Sequence, residues 1–285
     1  KPKLINSKFG WLVAGGGLHT KAKLKTKPIV GHAISKQLLA HQVEQFWSLE
    51  SFPEEQKIRS VEDEICESHF VDTCRRVNGK FVVNLPFKVD PSVLQGNNRS
   101  RAESCWLSTE RKFQKNEHLQ KLYTEFMNTY LNMHHMIEAS PSDEIKYFIP
   151  HHHVWKTNAS DKTFRVVFNA SSKTHDLSLN DMLYIGPSIQ DDLFNIIIRF
   201  REYPIAIAGD IEKMYRQIWV SESDQLYQGI IWRESTHHPL KAYKLKTLTY
   251  GTAPAAFLAT RCIQKTAELD GQSFPLAVNV ITRDF

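Results

Sequence analysis

The sequence predicts an α+β fold. Three observations carry that expectation. Apolar residues recur at helical spacing through much of the first half. Short runs rich in β-formers take over from Tyr147 onward. The composition, 41% hydrophobic and 24% charged over 285 residues, is that of a globular chain with material for a buried core in roughly one or two domains.

Residues 9–17 form a short apolar run closed by glycines, which reads as a strand followed by a turn. Gly15-Gly16-Gly17 lacks the Lys-Ser/Thr of a phosphate loop, so it is read as the turn. The lysine-rich stretch to about residue 30 reads as a linker. Lys1, Lys3, Lys8, Lys21, Lys23, Lys25 and Lys27 stand there without any acid, a pattern of a solvated segment more often than of a binding arm. Ser35 can cap a helix with Leu38, Leu39, Val43, Phe46 and Trp47 on one stripe, and Pro53 ends that region.

Ser60 followed by Asp63 resembles a capping box and opens a helix through Ile65 and Cys66. Lys80–Leu85 reads as a strand stopped by Pro86. A helix spans about 99–115, and another starts near Glu117. On the second, Leu119, Leu122, Tyr123, Phe126 and Tyr130 share a face and are read as core.

Beyond that point the period shortens. Tyr147–Ile149 and Thr163–Phe168 read as strands. Leu193, Ile196, Ile197 and Phe200 mark a helix capped by Ser188, with Asp191 and Asp192 in its first turn, where acids favour the helix dipole. Tyr203–Ala208 reads as a short strand buried on both faces. Strands at about 226–232 and 242–249 and a helix at 253–268 complete the series, and no internal repeat is present.

Several classes are excluded or left without support. The net charge of +5 permits nucleic-acid binding but does not establish it. Cys66, Cys74, Cys105 and Cys262 form no CxxC pair, so neither a zinc site nor a disulfide framework is indicated, which fits a reducing intracellular compartment. No apolar run reaches membrane-spanning length. His151-His152-His153, with His134-His135, invites a metal site. Adjacent histidines on a strand point to opposite faces, so packing is the preferred reading.

The segment with most chemical content is Ile205-Ala206-Ile207-Ala208-Gly209-Asp210-Ile211-Glu212-Lys213-Met214-Tyr215. An apolar strand there delivers a carboxylate at its end, with an aromatic residue five positions on. Nucleotidyl transfer needs such a rigidly held carboxylate to bind Mg²⁺ beside a triphosphate. Alone the pattern is weak, because an acid after a strand is most often a cap or turn residue. Its surroundings sharpen it. Upstream stands Phe164-Arg165-Val166-Val167-Phe168-Asn169-Ala170-Ser171, and downstream Leu248-Thr249-Tyr250-Gly251-Thr252-Ala253-Pro254.

That order resembles reverse transcriptases: a basic fingers strand, an aspartate with its aromatic partner, then a glycine turn opening a palm helix. More closely, the chain resembles Pol polyproteins of the BEL/Pao group of long-terminal-repeat retrotransposons. The further strings Tyr147-Phe148-Ile149-Pro150-His151-His152, Leu177-Ser178-Leu179-Asn180-Asp181 and Gly186-Pro187-Ser188-Ile189-Gln190-Asp191-Asp192-Leu193 carry the likeness, as does Phe257-Leu258-Ala259-Thr260-Arg261.

The resemblance implies three parts: residues 1–30 as the end of an aspartic protease-like domain (Phe9-Gly10-Trp11) and a basic linker, 31–139 as a mainly helical connector, and 140–285 as incomplete fingers and palm. It implies Asp210 as a catalytic Mg²⁺ ligand, with the Ile211 carbonyl as a further one. Tyr215 is implied as the gate that excludes a 2′-hydroxyl. Arg165 is implied as a triphosphate ligand, and Tyr250 and Gly251 as the border of the deoxynucleotide pocket. It further implies a template-primer of RNA or DNA, the remainder of the polyprotein as partner, and a cytoplasmic location, including virus-like particles, without membrane contact.

Departures accompany the likeness. Asn169 stands where the family usually has Asp, and Pro254 is displaced by two positions. The family's Tyr-x-Asp-Asp, expected just beyond Phe285, is missing, as are its thumb, connection, RNase H, integrase zinc and protease Asp-Thr/Ser-Gly motifs. Both ends read as cuts through a longer protein. The expectation is therefore a polymerase fragment without activity of its own, with an exposed sheet edge and partial disorder near 270–285. The alternative is a non-catalytic nucleic-acid-binding relic of a retroelement. A protease-derived scaffold is disfavoured by the absent catalytic triplet.

Overall fold

The computed structural model of the chain describes residues 3–7, 10–14, 59–94, 97–157, 162–173 and 177–285. The glycine turn at 15–17, the lysine-rich linker and the helix expected after Ser35 lie outside the described residues. Two compact units divide between Lys57 and Ile58. The described part of the first is an antiparallel hairpin of β1 (Lys3–Ser7) and β2 (Gly10–Ala14), the second strand matching the apolar run read from sequence.

In the second unit the capping box forms as expected. Ser60 Oγ accepts from the Asp63 N–H at 3.2 Å and the Asp63 carboxylate accepts from the Ser60 N–H at 3.0 Å. This opens α1 (Val61–Thr73), which buries Cys66 and Phe70. A hairpin of β3 (Arg75–Val77) and β4 (Lys80–Val83) follows, turned at Asn78 and Gly79 with φ of 50° and 78°.

The helices α2 (Arg99–Phe113) and α3 (Glu117–Asn132) carry the predicted aromatic face. Tyr123 and Tyr130 are buried, Trp106 packs on Phe113 and Tyr123, and Phe126 lies against Tyr130. One core joins these helices to the strands that follow, so the boundary expected near residue 139 lies inside this unit.

β5 (Met136–Glu138), β10 (Lys241–Leu245) and β9 (Gly229–Trp232) form an antiparallel sheet in that order. β6 (His151–Thr157) and β7 (Lys162–Phe168) form a long antiparallel ribbon. β8 (Trp219–Val220) pairs in parallel with β4 and is followed by the one-turn helix α5 (Glu222–Gln225). Alternation along β7 sends Val166 and Phe168 into the core and leaves Thr163 and Arg165 exposed. The chain is thus a mixture of helix and sheet, and among the described residues no helix is long and apolar enough to cross a membrane.

Three expectations need correction. Tyr147–Ile149 forms no strand. All three residues are buried, and Phe148 makes a single parallel bridge to Gly229. The helix α4 (Leu193–Phe200) is capped by Asp192, not Ser188, because the nearer carboxylate accepts from the Phe194 N–H at 2.7 Å. After α6 (Ala255–Asp270) comes α7 (Pro275–Arg283), and Asp284 pairs with Arg199 at 2.6 Å.

The third correction matters most. Tyr203–Ala208 is neither a strand nor buried, with Ile205 79% and Ile207 90% exposed. Its residues read as strand formers, but a ladder needs a partner, and none of the described strands pairs with them.

The displaced proline does no harm. Pro254 sits at the cap of α6 with φ −81°, ahead of the turns where its missing N–H would count.

Candidate functional site

Tyr250 and Gly251 form the turn between the β10 region and α6. Gly251 has φ +96°, and a Cβ placed on it would lie 2.3 Å from the carbonyl oxygen of Phe168. Only glycine permits this approach to the end of β7. The Tyr250 hydroxyl donates to the Val166 carbonyl at 2.7 Å, and its ring packs on Phe168 at 5.3 Å. Burial, with Tyr130 alongside, holds the Tyr250 phenol far above its ordinary range, so it stays protonated as a donor.

Asn180 completes the turn. Its amide donates to the Gly251 carbonyl at 3.0 Å and to Ser171 Oγ at 2.8 Å, and its side-chain oxygen accepts from the Ala253 N–H at 2.8 Å. Sequence reasoning missed this role. The signal was an asparagine in the polar turn after β7, within the string Leu177–Asp181.

Tyr215 lies in a short 3-10 turn, Met214–Gln217, entered through Lys213 at φ 51°. Its ring centroid is 6.5 Å from that of Tyr250. The structure therefore brings Tyr215, Tyr250 and Gly251 together at the end of β7, although they come from separate stretches. Arg165 belongs to that strand one residue before Val166, but its exposed side chain lies on the opposite face from Val166 and Phe168.

Asp210 and Ile211 lack the strand that was expected to present them. Both are exposed, in the segment that forms no ladder. Asp210 makes no hydrogen bond or ion pair among the described residues. Its neighbour Glu212 is engaged by Lys213. The expected strand tip is therefore absent. Magnesium takes an octahedral set of oxygens. Asp210 and the Ile211 carbonyl are an incomplete set, and among the described residues no group of three His, Cys, Asp or Glu converges to hold a metal.

Behind Tyr215 lies a cationic cluster. Arg216 stacks over Tyr130 at 4.0 Å and its Nε donates to His135 Nδ1 at 2.8 Å. Burial, together with Arg216, Lys80, Lys213 and His134, lowers the His135 pKa to about 4. His135 is thus neutral and an acceptor. Lys80 and Lys246 place their ammonium groups 5.4 Å and 4.5 Å from the ring centre of Trp219.

The histidine triplet divides by strand alternation. His151 is buried: its Nε2–H donates to the Ile231 carbonyl at 2.9 Å while Nδ1 meets the Tyr123 hydroxyl. Burial lowers its pKa to about 4. This is the packing role expected for it. No protein-family model matches the chain, and no curated protein matches it.

Proposed function

We propose that this chain is a fingers and partial palm segment of a retrotransposon RNA-directed DNA polymerase of BEL/Pao type, and that its own residues shape a deoxynucleotide pocket. The supporting observation is the convergence of Tyr215, Tyr250 and Gly251 on the end of the strand that carries Arg165. Those stretches are the ones the resemblance assigns to a single pocket.

On this reading each residue has a defined task. Gly251 lets the turn close against the end of β7, where a side chain would meet the Phe168 carbonyl, and so sets the border of the pocket. Tyr215 offers a ring face to the sugar and leaves no room for a 2′-hydroxyl. The resemblance implies Arg165 as the triphosphate ligand, but its side chain leaves β7 on the face opposite Phe168, so it is not part of this cluster. Asp210 presents a free carboxylate. Mg²⁺ would supply charge neutralisation and hydroxyl activation in the complete enzyme. The oxygen set on these residues does not suffice to hold it, so no incorporation is expected from the 285-residue chain. Metal-dependent primer extension by this chain would overturn that expectation.

Equilibrium binding of dATP and ATP tests the pocket itself. The wild type should prefer dATP, and Tyr215→Ala should bring the two affinities together. Equal affinities in the wild type would refute the gate.

A second reading is favoured by one observation, the placing of Lys80 and Lys246 together beside Trp219. It is a non-catalytic nucleic-acid-binding segment. The two lysines would neutralise phosphates. Binding that survives loss of nucleotide recognition would favour this reading over the first.

A further inference from the structure

Cys74 and Cys262 lie far apart in sequence and meet where α1 ends against α6. Contacts on both sides fix that meeting. Before it, Arg261 pairs with Glu67 at 2.8 Å and stacks over Phe70 at 5.0 Å, and Phe70 packs on Phe257 at 6.2 Å. After it, Arg76 pairs with Asp270 at 2.8 Å. The two thiols are neighbours across this contact.

Their surroundings differ. Cys74 is half-buried at the C-terminal cap of α1, within reach of a small reagent, while Cys262 is buried. The adjacent Cys262 thiol, aided by Lys265 and Arg261, lowers the Cys74 pKa, whereas the adjacent Cys74 and burial raise that of Cys262. One thiol is thus set up as the attacking group and the other as its resolving partner.

We propose that Cys74 and Cys262 are an oxidation site that closes to a disulfide by exchange with a low-molecular-weight disulfide, tying the end of α1 to α6. The Cys74 thiolate attacks one sulfur of the small disulfide, forming a mixed disulfide and releasing the other half as a thiolate. Cys262 then loses its proton and attacks the Cys74 sulfur, expelling the second half. One small disulfide is reduced to two thiols, and the two cysteines lose one hydrogen atom each. Nothing in this site depends on the polymerase reading. Cys66, on α1, and Cys105, on α2, are internal controls.

The test is peptide mapping under non-reducing conditions after treating the full chain with oxidised glutathione. The expected product joins the Cys74 and Cys262 peptides, leaves Cys66 and Cys105 open to alkylation, and reverts with dithiothreitol. Cys262→Ser should trap glutathione on Cys74, because the resolving thiol is gone. Cys74→Ser should leave Cys262 unmodified. The proposal is overturned if the wild type keeps all its thiols free, stays glutathionylated at Cys74, or links either residue to Cys66, Cys105 or a second molecule. If a serine variant does not fold, the wild-type map decides alone.

Discussion

The carbonyl oxygen of Phe168 occupies the space that a side chain on residue 251 would need, 2.3 Å from the position of its Cβ. The turn before α6 and the end of β7 are locked together at this point, and Gly251 is held there in a left-handed conformation at φ +96°. Gly251→Ala should therefore cost at least about 1–3 kcal/mol through strain and the forced retreat of backbone. Thermal melting checks the cost. Nucleotide affinity measured on the folded fraction should fall with it.

Asn180 acts on the same turn from its other side, through hydrogen bonds to Gly251 and Ala253. Asn180→Ala leaves their backbone groups without these partners. Urea denaturation should show a loss of about 1–3 kcal/mol. Asn180→Asp keeps the acceptor for the Ala253 N–H and removes the donor to the Gly251 carbonyl, so it should lose part of that.

Acid should weaken the fold through His151 and His135. Both have pKa values lowered from 6.5 to about 4, the first by burial, the second by burial and neighbouring cations. The unfolded chain binds protons that the folded chain refuses. Stability is then complete above the unfolded pKa near 6.5 and falls as the pH drops toward 4. For His151, fully enclosed, the shift corresponds to at most about 3 kcal/mol. The melting temperature should fall steadily from pH 7 to pH 4.5, and ring-nitrogen NMR at pH 5.5 should find His151 neutral with its proton on Nε2. A protonated His151 at that pH would contradict the assignment.

The cluster around Trp219 makes a separate prediction. If it carries phosphates, Lys80→Ala with Lys246→Ala should reduce the salt dependence of nucleic-acid binding by roughly two counterions while sparing dATP affinity. An unchanged salt slope would remove the cluster from the interface.

Local signals were readable in the sequence wherever the cause was local. The Ser60–Asp63 box, the aromatic face of α3 and the alternation in Thr163–Phe168 each depend on neighbours a few residues away, and each is present. Tyr203–Ala208 misled because a strand is completed by a partner that its own residues do not encode. The cap of α4 was misplaced because several oxygen-bearing residues precede the helix and only geometry chooses Asp192. In the candidate site, the resemblance pointed to Tyr215, Tyr250 and Gly251, and the structure sets the two tyrosine rings 6.5 Å apart. Asn180 was not legible, since a polar residue in a turn gives no hint that its amide reaches Gly251.

Amide NMR of the chain titrated with dATP, with ATP in parallel, bears most directly on whether Tyr215, Tyr250 and Gly251 make one deoxynucleotide pocket. The account predicts saturable shifts at the Tyr215, Gly251 and Arg165 amides with dATP, and weaker ones at the same residues with ATP. Shifts confined to other surfaces, or none at saturating dATP, would contradict it.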